Sequence, residues 1–511
     1  MQPLQQIAWH LPENLDFQDL QLSLADRFNT KHETENKKVC RWFDTFDWRL
    51  FRSNLLLTRE GQDWILQDLD GRMVDKLRGG RKIYRFARDF PQSSLRDTLA
   101  PILSVRALIE LGSAEIFTQR LNILNQDKKT VAQVELKKFS PKQTDRQLAT
   151  IRIQEVRGYT NWLKKIKKHL LGLSISEQAT PADILLFIAE TSGRKPLDYS
   201  SKYEVSLDPV MTSRDAAVRI YRFLLAAIRK NEQGVIDDID SEFLHDLRVA
   251  VRRTRSAMTL MKGVLPPEIE RRFKEDFKYI GAITGPVRDL DVYLLSRDSY
   301  REKLPERLRP GLDIFFDDLA GRRRRERRKM VRALRGPRYR RILDDWETVL
   351  SPDAETMAGE KGAVPIGELA GKIIHKRFRK VLRDGKKIHT ATRDEELHRL
   401  RIECKKLRYS LEFFSSLYDP EQMRQFIRQL KMLQDNLGDF NDLSVQQHML
   451  AELLSHVKPG TVKSRELAAA VGGLMTGLFL QHQDVRTRFE KTFAHFSRKK
   501  NLALYHALFG R

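Results

Sequence analysis

The chain has 511 residues, with 93 Lys and Arg against 69 Asp and Glu, for a net charge of +24. That length exceeds one ordinary hydrophobic core, so two or more domains are expected, and the cationic surplus favours polyanionic partners. Only two cysteines, Cys40 and Cys404, are present, which argues against a disulfide framework and for a reducing interior, and no Cys/His cluster has zinc spacing.

In chain order, the N-terminal "MQPLQQIAWHLPEN" lacks the charged and apolar regions of a signal peptide. No apolar run reaches membrane-spanning length, so a cytoplasmic protein is expected, with no cofactor and no membrane partner. A first strand is read from "QQIAWHLP". The stretches "KKVCRWFDTFDWRLF", "NLLLTRE", "DWILQDL", "IFTQRLNILNQ", "TVAQVELKKF" and "ATIRIQEVRG" then alternate apolar and polar residues between Gly, Asp and Asn turns, as strands do. Helical patches at 92–110, 160–171 and 181–190 interrupt them, so this half is expected to be α+β. After the polar connector "TSGRKPLDYSSKYEVSLDP", helical periods continue to the C-terminus. Residues 1–207 hold 33 basic and 26 acidic side chains, which leaves 60 and 43 for the helical half, where most of the field must lie.

The helical half is duplicated. His245, Arg248, Arg252, Arg253 and Arg255 stand in register with His398, Arg401, Lys405, Lys406 and Arg408 at an offset of 153 residues. Lys278 and Lys431, Gly285 and Gly438, Asp289 and Asp442, and Val292 and Val445 keep the same offset without an insertion. On a helix, His245, Arg248, Arg252 and Arg255 fall within a sector of about 80°. Leu247, Ala250, Val251, Thr254, Met258 and Met261 take the opposite side, and Leu400, Cys404, Leu407, Leu411 and Phe414 do the same beside His398. An isolated cationic stripe is ordinarily a solvated face. Two of them, each with a His one turn before an Arg, point to stripes that share an anion.

The blocks "HDLRVAVRR" and "HRLRIECKK", with "GPVRDLDV" and "GDFNDLSV" downstream, resemble the CHAD domain, the conserved histidine α-helical domain, over about residues 208–511. The resemblance implies an all-α helical bundle with an internal pseudo-twofold repeat, whose halves are expected at about 208–355 and 361–511. It also implies a basic surface that binds inorganic polyphosphate, and with it an association with polyphosphate granules. On this resemblance the binding residues are His245, Arg248, Arg252, His398, Arg401, Lys405 and Arg408. Arg253, Arg255, Lys406, Lys278, Lys431, Arg219, Lys372 and Lys376 are added as supporting cations. Asp289 and Asp442 are expected to cap a helix or orient an Arg after a Gly-containing turn rather than to hold metal. The run "GRRRRERRKMVRALRGPRYRRIL" at 321–343 fits either an extra polyanion site or, since Met330, Val331 and Leu334 recur at helical spacing and Glu326 interrupts the charge, a solvated helix linking the repeats, and only a contribution to the field is assigned to it.

Residues 1–200 resemble the CYTH or triphosphate tunnel fold, through "RWFDTFDWRLFRSNLLLTRE" and the order of the later strands. Active members carry E-x-E-x-K on the first strand, where carboxylates bind metal. Here that strand reads "QQIAWHLP", and "TIRIQEV" places Arg152 and Gln154 where carboxylates are expected. "ETENK" at 33–37 fits the pattern as text but falls in the segment leading to the second strand. A degenerate tunnel-like β domain is therefore expected, with Arg59, Arg120 and Lys137 left to attract anions. The favoured function is polyphosphate binding without catalysis. The alternatives are an inorganic triphosphatase and a nucleic-acid-binding protein, the latter disfavoured because exposed aromatics do not interleave the stripes.

Overall fold

The computed structural model describes residues 6–12, 15–351, 358–389, 391–458 and 460–509. The chain divides into two compact units, Met1–Ser200 and Ser201–Arg511.

The first unit runs β1 (Gln6–His10), α1 (Phe17–Arg27), β2 (Asn29–Asp44), α2 (Arg49–Arg52), β3 (Leu55–Glu60), β4 (Asp63–Asp68), β5 (Met73–Arg78), α3 (Ser94–Leu103), β6 (Ile109–Leu124), β7 (Thr130–Pro141), β8 (Leu148–Glu155), α4 (Thr160–Gly172) and α5 (Pro181–Thr191). All eight strands pair antiparallel in the order β1-β8-β7-β6-β2-β3-β4-β5, a sheet that curls into a tunnel-like half-barrel. Alternation sorts its faces. Leu121, Ile123, Val134, Leu136, Ile151 and Ile153 pack beneath α1 and α4. The opposite face of the same strands carries Arg120, Glu135, Lys137 and Arg152, and farther along it Trp42, Ile116 and Phe139 meet Leu185 and Ile188 of α5. Thr180, Pro181 and Asp183 start α5 with a capping box and a proline in the first turn. α5 lies so close to β6 that a Cβ on Gly112 would stand 2.8 Å from the Ile188 side chain, which leaves glycine as the residue that fits.

Several expectations change here. α1 and β5 were not anticipated. β2 begins at Asn29, so "ETENK" lies inside the second strand rather than ahead of it. Its polar, charged composition hid the strand, because Lys31 to Lys38 offer no apolar alternation for a pattern to find.

The second unit is helical: α6 (Ser213–Ile236), α7 (Ser241–Leu260), α8 (Pro267–Leu295), α9 (Arg297–Glu302), α10 (Arg309–Leu334), α11 (Pro337–Val349), α12 (Ile366–Gly385), α13 (Asp394–Phe413), α14 (Pro420–Ser455), α15 (Val462–Phe496) and α16 (Lys499–Phe509). The starts of α6, α7, α8 and α10 recur 153 residues later as those of α12, α13, α14 and α15, and α14 spans what α8 and α9 span together. The repeats also exchange equivalent bonds. Ser213 N–H donates to Val364 O at 2.8 Å, while Ile366 N–H donates to Met211 O at 2.9 Å, about the paired residues Thr212 and Pro365. Positions 213 and 366, and 211 and 364, are themselves 153 apart, so this reciprocal pair marks a local twofold axis. A shared core of Leu312, Phe315, Phe316, Val471, Leu474 and Leu478 joins α10 to α15.

"GPVRDLDV" is continuous helix within α8, Pro286 included, and "GDFNDLSV" lies within α14, so neither glycine marks a turn. The basic run at 321–343 is likewise not the segment that connects the repeats in sequence. It covers the end of α10 and the start of α11, both in the first repeat, with α10 packed on α8 and α15. Among the described residues no helix is long and apolar enough to cross a membrane.

Candidate functional site: a cationic groove between the repeats

α7 and α13 touch each other across the repeats. Each turns an apolar face inward, with Leu244, Leu247, Val251 and Met258 buried on α7 and Leu400, Cys404, Leu407 and Leu411 buried on α13. Helical periodicity then directs the intervening cations outward. Asp240 opens α7 by accepting from the backbone N–H groups of Glu242 and Phe243, which fixes the register of the stripe.

Between the helices lies an open groove of about 440 Å³, lined by His245, Arg252 and Arg253 from α7 and by Arg401, Lys405 and Arg408 from α13. Like charges crowd together here. Burial, followed by repulsion from Arg401 and Arg252, lowers the Lys405 ammonium to about 8, with Asp442 opposing the shift. Acidic side chains orient the cations at the edge. Glu412 accepts from Arg253 Nη2 at 3.1 Å and from Arg408 Nε at 2.5 Å, and Arg253 also lies over the Tyr203 ring.

Arg248 turns toward α8. Its Nη1 donates to Gly281 O at 2.9 Å and to Thr284 Oγ1 at 3.1 Å. Burial lowers its pKa, with Asp289 opposing, and its guanidinium lies over Gly285 of α8, where a Cβ would meet Nη1 at an ordinary contact distance of 3.4 Å. Its counterpart Arg401 keeps its place in the groove and meets Asp442 at 3.3 Å. Asp289 and Asp442 thus stand beside the paired arginines. The two histidines differ as well: His245 lines the groove, whereas His398 is exposed with Nδ1 2.7 Å from Asn441 Oδ1.

A family model described as the CHAD domain matches residues 219–451. Those residues are a CHAD domain. The β half-barrel precedes it. Two uncharacterized proteins from two strains of Mycobacterium tuberculosis are each 26% identical to the chain over 219 residues, which is 42% of this chain and 40% of theirs. The match therefore spans less than half the length of these curated relatives. Among solved structures, the CHAD domain of the plant Ricinus communis has a TM-score of 0.48 at 26% identity, covering 57% of this chain and 95% of that one. PptA from Streptomyces chartreusis has a TM-score of 0.44 at 14% identity, covering 55% and 99%.

The supporting cations of the CHAD domain are dispersed. Lys406 turns away from the groove onto Glu403, which it shares with Arg377 and Lys380. Lys278 pairs with Glu275, Lys372 pairs with Glu368, and Arg219 reaches Ser206 O at 3.5 Å. Lys376 is exposed on α12, outside the groove lining. Arg255 lies against α8 at Gly281, and Lys431 is exposed one turn before Gln434 of the lining. Tyr409, Gln434 and Glu412 are lining residues that the repeat comparison missed, because their counterparts Ser256, Gly281 and Thr259 do not match them.

In the β unit, Arg120, Lys137 and Arg152 converge on one carboxylate. Glu135 lies 2.9 Å from Arg120 Nε, 3.2 Å from Lys137 Nζ and 2.5 Å from Arg152 Nη2. Burial favours its protonated form, but Lys137, Arg152 and Arg120 outweigh that and hold it below the usual carboxylate range. Glu33 and Glu35 accept from Asn122 and Gln119 at 2.6 Å each, and Arg59 is buried with Nη2 on Gly80 O. Among the described residues no group of three or more His, Cys, Asp or Glu could hold a metal ion. Glu135 stands where an external anion would meet the three cations. Glu135→Gln should therefore raise triphosphate affinity of the β unit by about tenfold, the scale of one charged hydrogen bond. Titration of the full chain with Arg252 and Arg401 already changed to alanine reads this out, and unchanged affinity would show that the three cations are not open to ligand.

Proposed function

We propose that the CHAD domain binds inorganic polyphosphate in the groove between α7 and α13. The observation that carries the proposal is the meeting of Arg252, Lys405 and Arg401, from different repeats, in one groove. Three cations held together are costly, and Asp442, 3.3 Å from Arg401 and 63% exposed, offsets only part of that cost, since the Lys405 ammonium is still lowered. Polyphosphate supplies closely spaced oxyanions without bases, and Arg donates to such oxygens in a forked geometry. Protein that binds polymer in this way would collect at polyphosphate granules. The β unit is proposed as non-catalytic, because Glu135 already answers its three cations and Glu33 and Glu35 hydrogen-bond to side-chain amides. Tyr409 gives one stacking face in the groove, which favours nucleic acid as the second reading.

Titration of the full chain with long-chain polyphosphate, sodium tripolyphosphate and duplex DNA, each at several salt concentrations, tests the proposal. Long polyphosphate should bind most tightly, with affinity falling by roughly 0.7 log unit per log unit of salt for each phosphate contact, as for single strands. Tighter binding of DNA at equal charge concentration would transfer the function to nucleic acid.

A further inference from the structure

The first repeat carries a cationic feature that the second lacks. Residues 321–328 of α10 read "GRRRRERR", whereas the positions 153 residues later in α15 read "LMTGLFLQ". The twofold symmetry of the CHAD domain is broken at this point.

Two of these arginines are anchored. Arg323 donates through Nη1 and Nη2 to Asp238 at 3.0 and 2.6 Å and through Nε to the buried Asp291 at 2.5 Å. Arg327 donates to Ile236 O at 2.7 Å and lies 3.2 Å from Asp238. This ties the turn between α6 and α7 to α10 and gives the neighbouring side chains a fixed base. Arg324, Arg325 and Arg328 are exposed and have no acidic partner among the described residues. Together with the anchored pair they line a second open cavity, of about 720 Å³.

The cavity connects to the groove along the chain, through the turn that opens α7. Asp238 lines the former, and Glu242 and His245 line the latter. Six residues separate Asp238, in the turn before α7, from His245, in the second turn of that helix. Arg288 of α8 spans this interval. It lies 4.0 Å from Glu242 and reaches Ser241 O at 3.5 Å, and its charge acts on both Arg248 and Asp291. Of the acidic groups bordering the interval, Asp238 and Glu242 are matched to arginines, Asp240 caps α7 and Asp237 accepts from Gln233, while Asp246 lines the groove beside His245.

We infer that Arg324, Arg325 and Arg328 form a second polyanion subsite, reached only by chains long enough to leave the groove past the N-terminus of α7. The inference rests on the proposed polyphosphate reading and adds a chain-length preference to it. A short oligophosphate fills the groove alone. A long one continues over Arg288 onto α10, on one side of the twofold only.

The test compares the full-length protein with the triple variant Arg324→Gln, Arg325→Gln, Arg328→Gln. Sodium tripolyphosphate and long-chain polyphosphate serve as probes across a salt series. Long-chain affinity should fall by about tenfold or more, and its log-log salt slope by roughly 2 units, given about 0.7 per lost contact. Tripolyphosphate affinity should stay within about twofold of the parent, as should long-chain affinity in the charge-matched variant Lys491→Gln, Lys499→Gln, Lys500→Gln, whose exposed lysines line neither cavity. Circular dichroism melting shows that the helices persist. Equal loss for both probes, equal loss in the charge-matched variant, or no loss for the long chain overturns the subsite. In these cases the parent still binds polyphosphate, whereas failure of the underlying reading shows as a folded parent that binds neither probe, which removes the subsite as well.

Discussion

Changing Arg252 and Arg401 together to alanine should remove most polyphosphate affinity while leaving the fold intact. The two side chains come from different repeats and flank Lys405 in one groove. Each is placed to make a charge-assisted hydrogen bond worth about 1.5–3 kcal/mol, so the pair should cost roughly 10²- to 10⁴-fold in affinity. The salt slope should fall by about 1.4 units, because two fewer phosphates release counterions. Structural cost is small. Arg252 is exposed, and the partner that Arg401 leaves behind, Asp442, is 63% exposed and returns to water with little penalty. Lys406→Ala is the natural comparison: it deletes a cation from the same basic block, but one that sits on Glu403 outside the groove, so affinity should change by less than about threefold. Calorimetric titration at fixed salt measures all three proteins. Equal losses for Lys406→Ala and the double arginine variant would mean that bulk charge, rather than the groove, holds the polymer.

That comparison also shows what a one-dimensional pattern conveys. The offset of 153 was visible in the paired His, Arg and Asp positions, and the helix starts at Ser213 and Ile366, Ser241 and Asp394, and Pro267 and Pro420 follow it. Counter-ions were not visible. Arg253 and Lys406 occupy equivalent positions, yet Glu412 keeps the first at the groove and Glu403 draws the second away. Neither glutamate recurs in the other repeat, where the positions matching Glu412 and Glu403 are Thr259 and Ala250. The same limit applies to the β unit, where Arg120, Lys137 and Arg152 are distant in sequence but register beside Glu135 across three strands. Gly285 shows another limit. Followed by proline it signals a turn, but in the fold it is a helical position beneath the Arg248 guanidinium.

Polyphosphate affinity should be nearly constant below about pH 7 if Lys405 is the titrating group, and should fall as pH rises through 8. In the free protein Lys405 loses its proton at about 8, because burial and then Arg401 and Arg252 disfavour the ammonium. A bound polyanion offsets that repulsion and raises the value in the complex. Below both values the ammonium is charged with or without ligand, so no proton is taken up. Between them binding takes up one proton, and affinity drops by as much as tenfold per pH unit. Folding has the opposite sign. The unfolded chain holds this proton more tightly than the native state, so the unliganded domain gains stability as pH rises from about 8 toward the ordinary lysine value of about 10.4. Lys405→Arg keeps the charge at every pH and should flatten the binding profile above 8. A decline that begins instead between about pH 6 and 7, and that His245→Ala removes, assigns the proton to the imidazole in the groove. A profile that falls through 8 unchanged in Lys405→Arg would show that Lys405 does not meet the polymer.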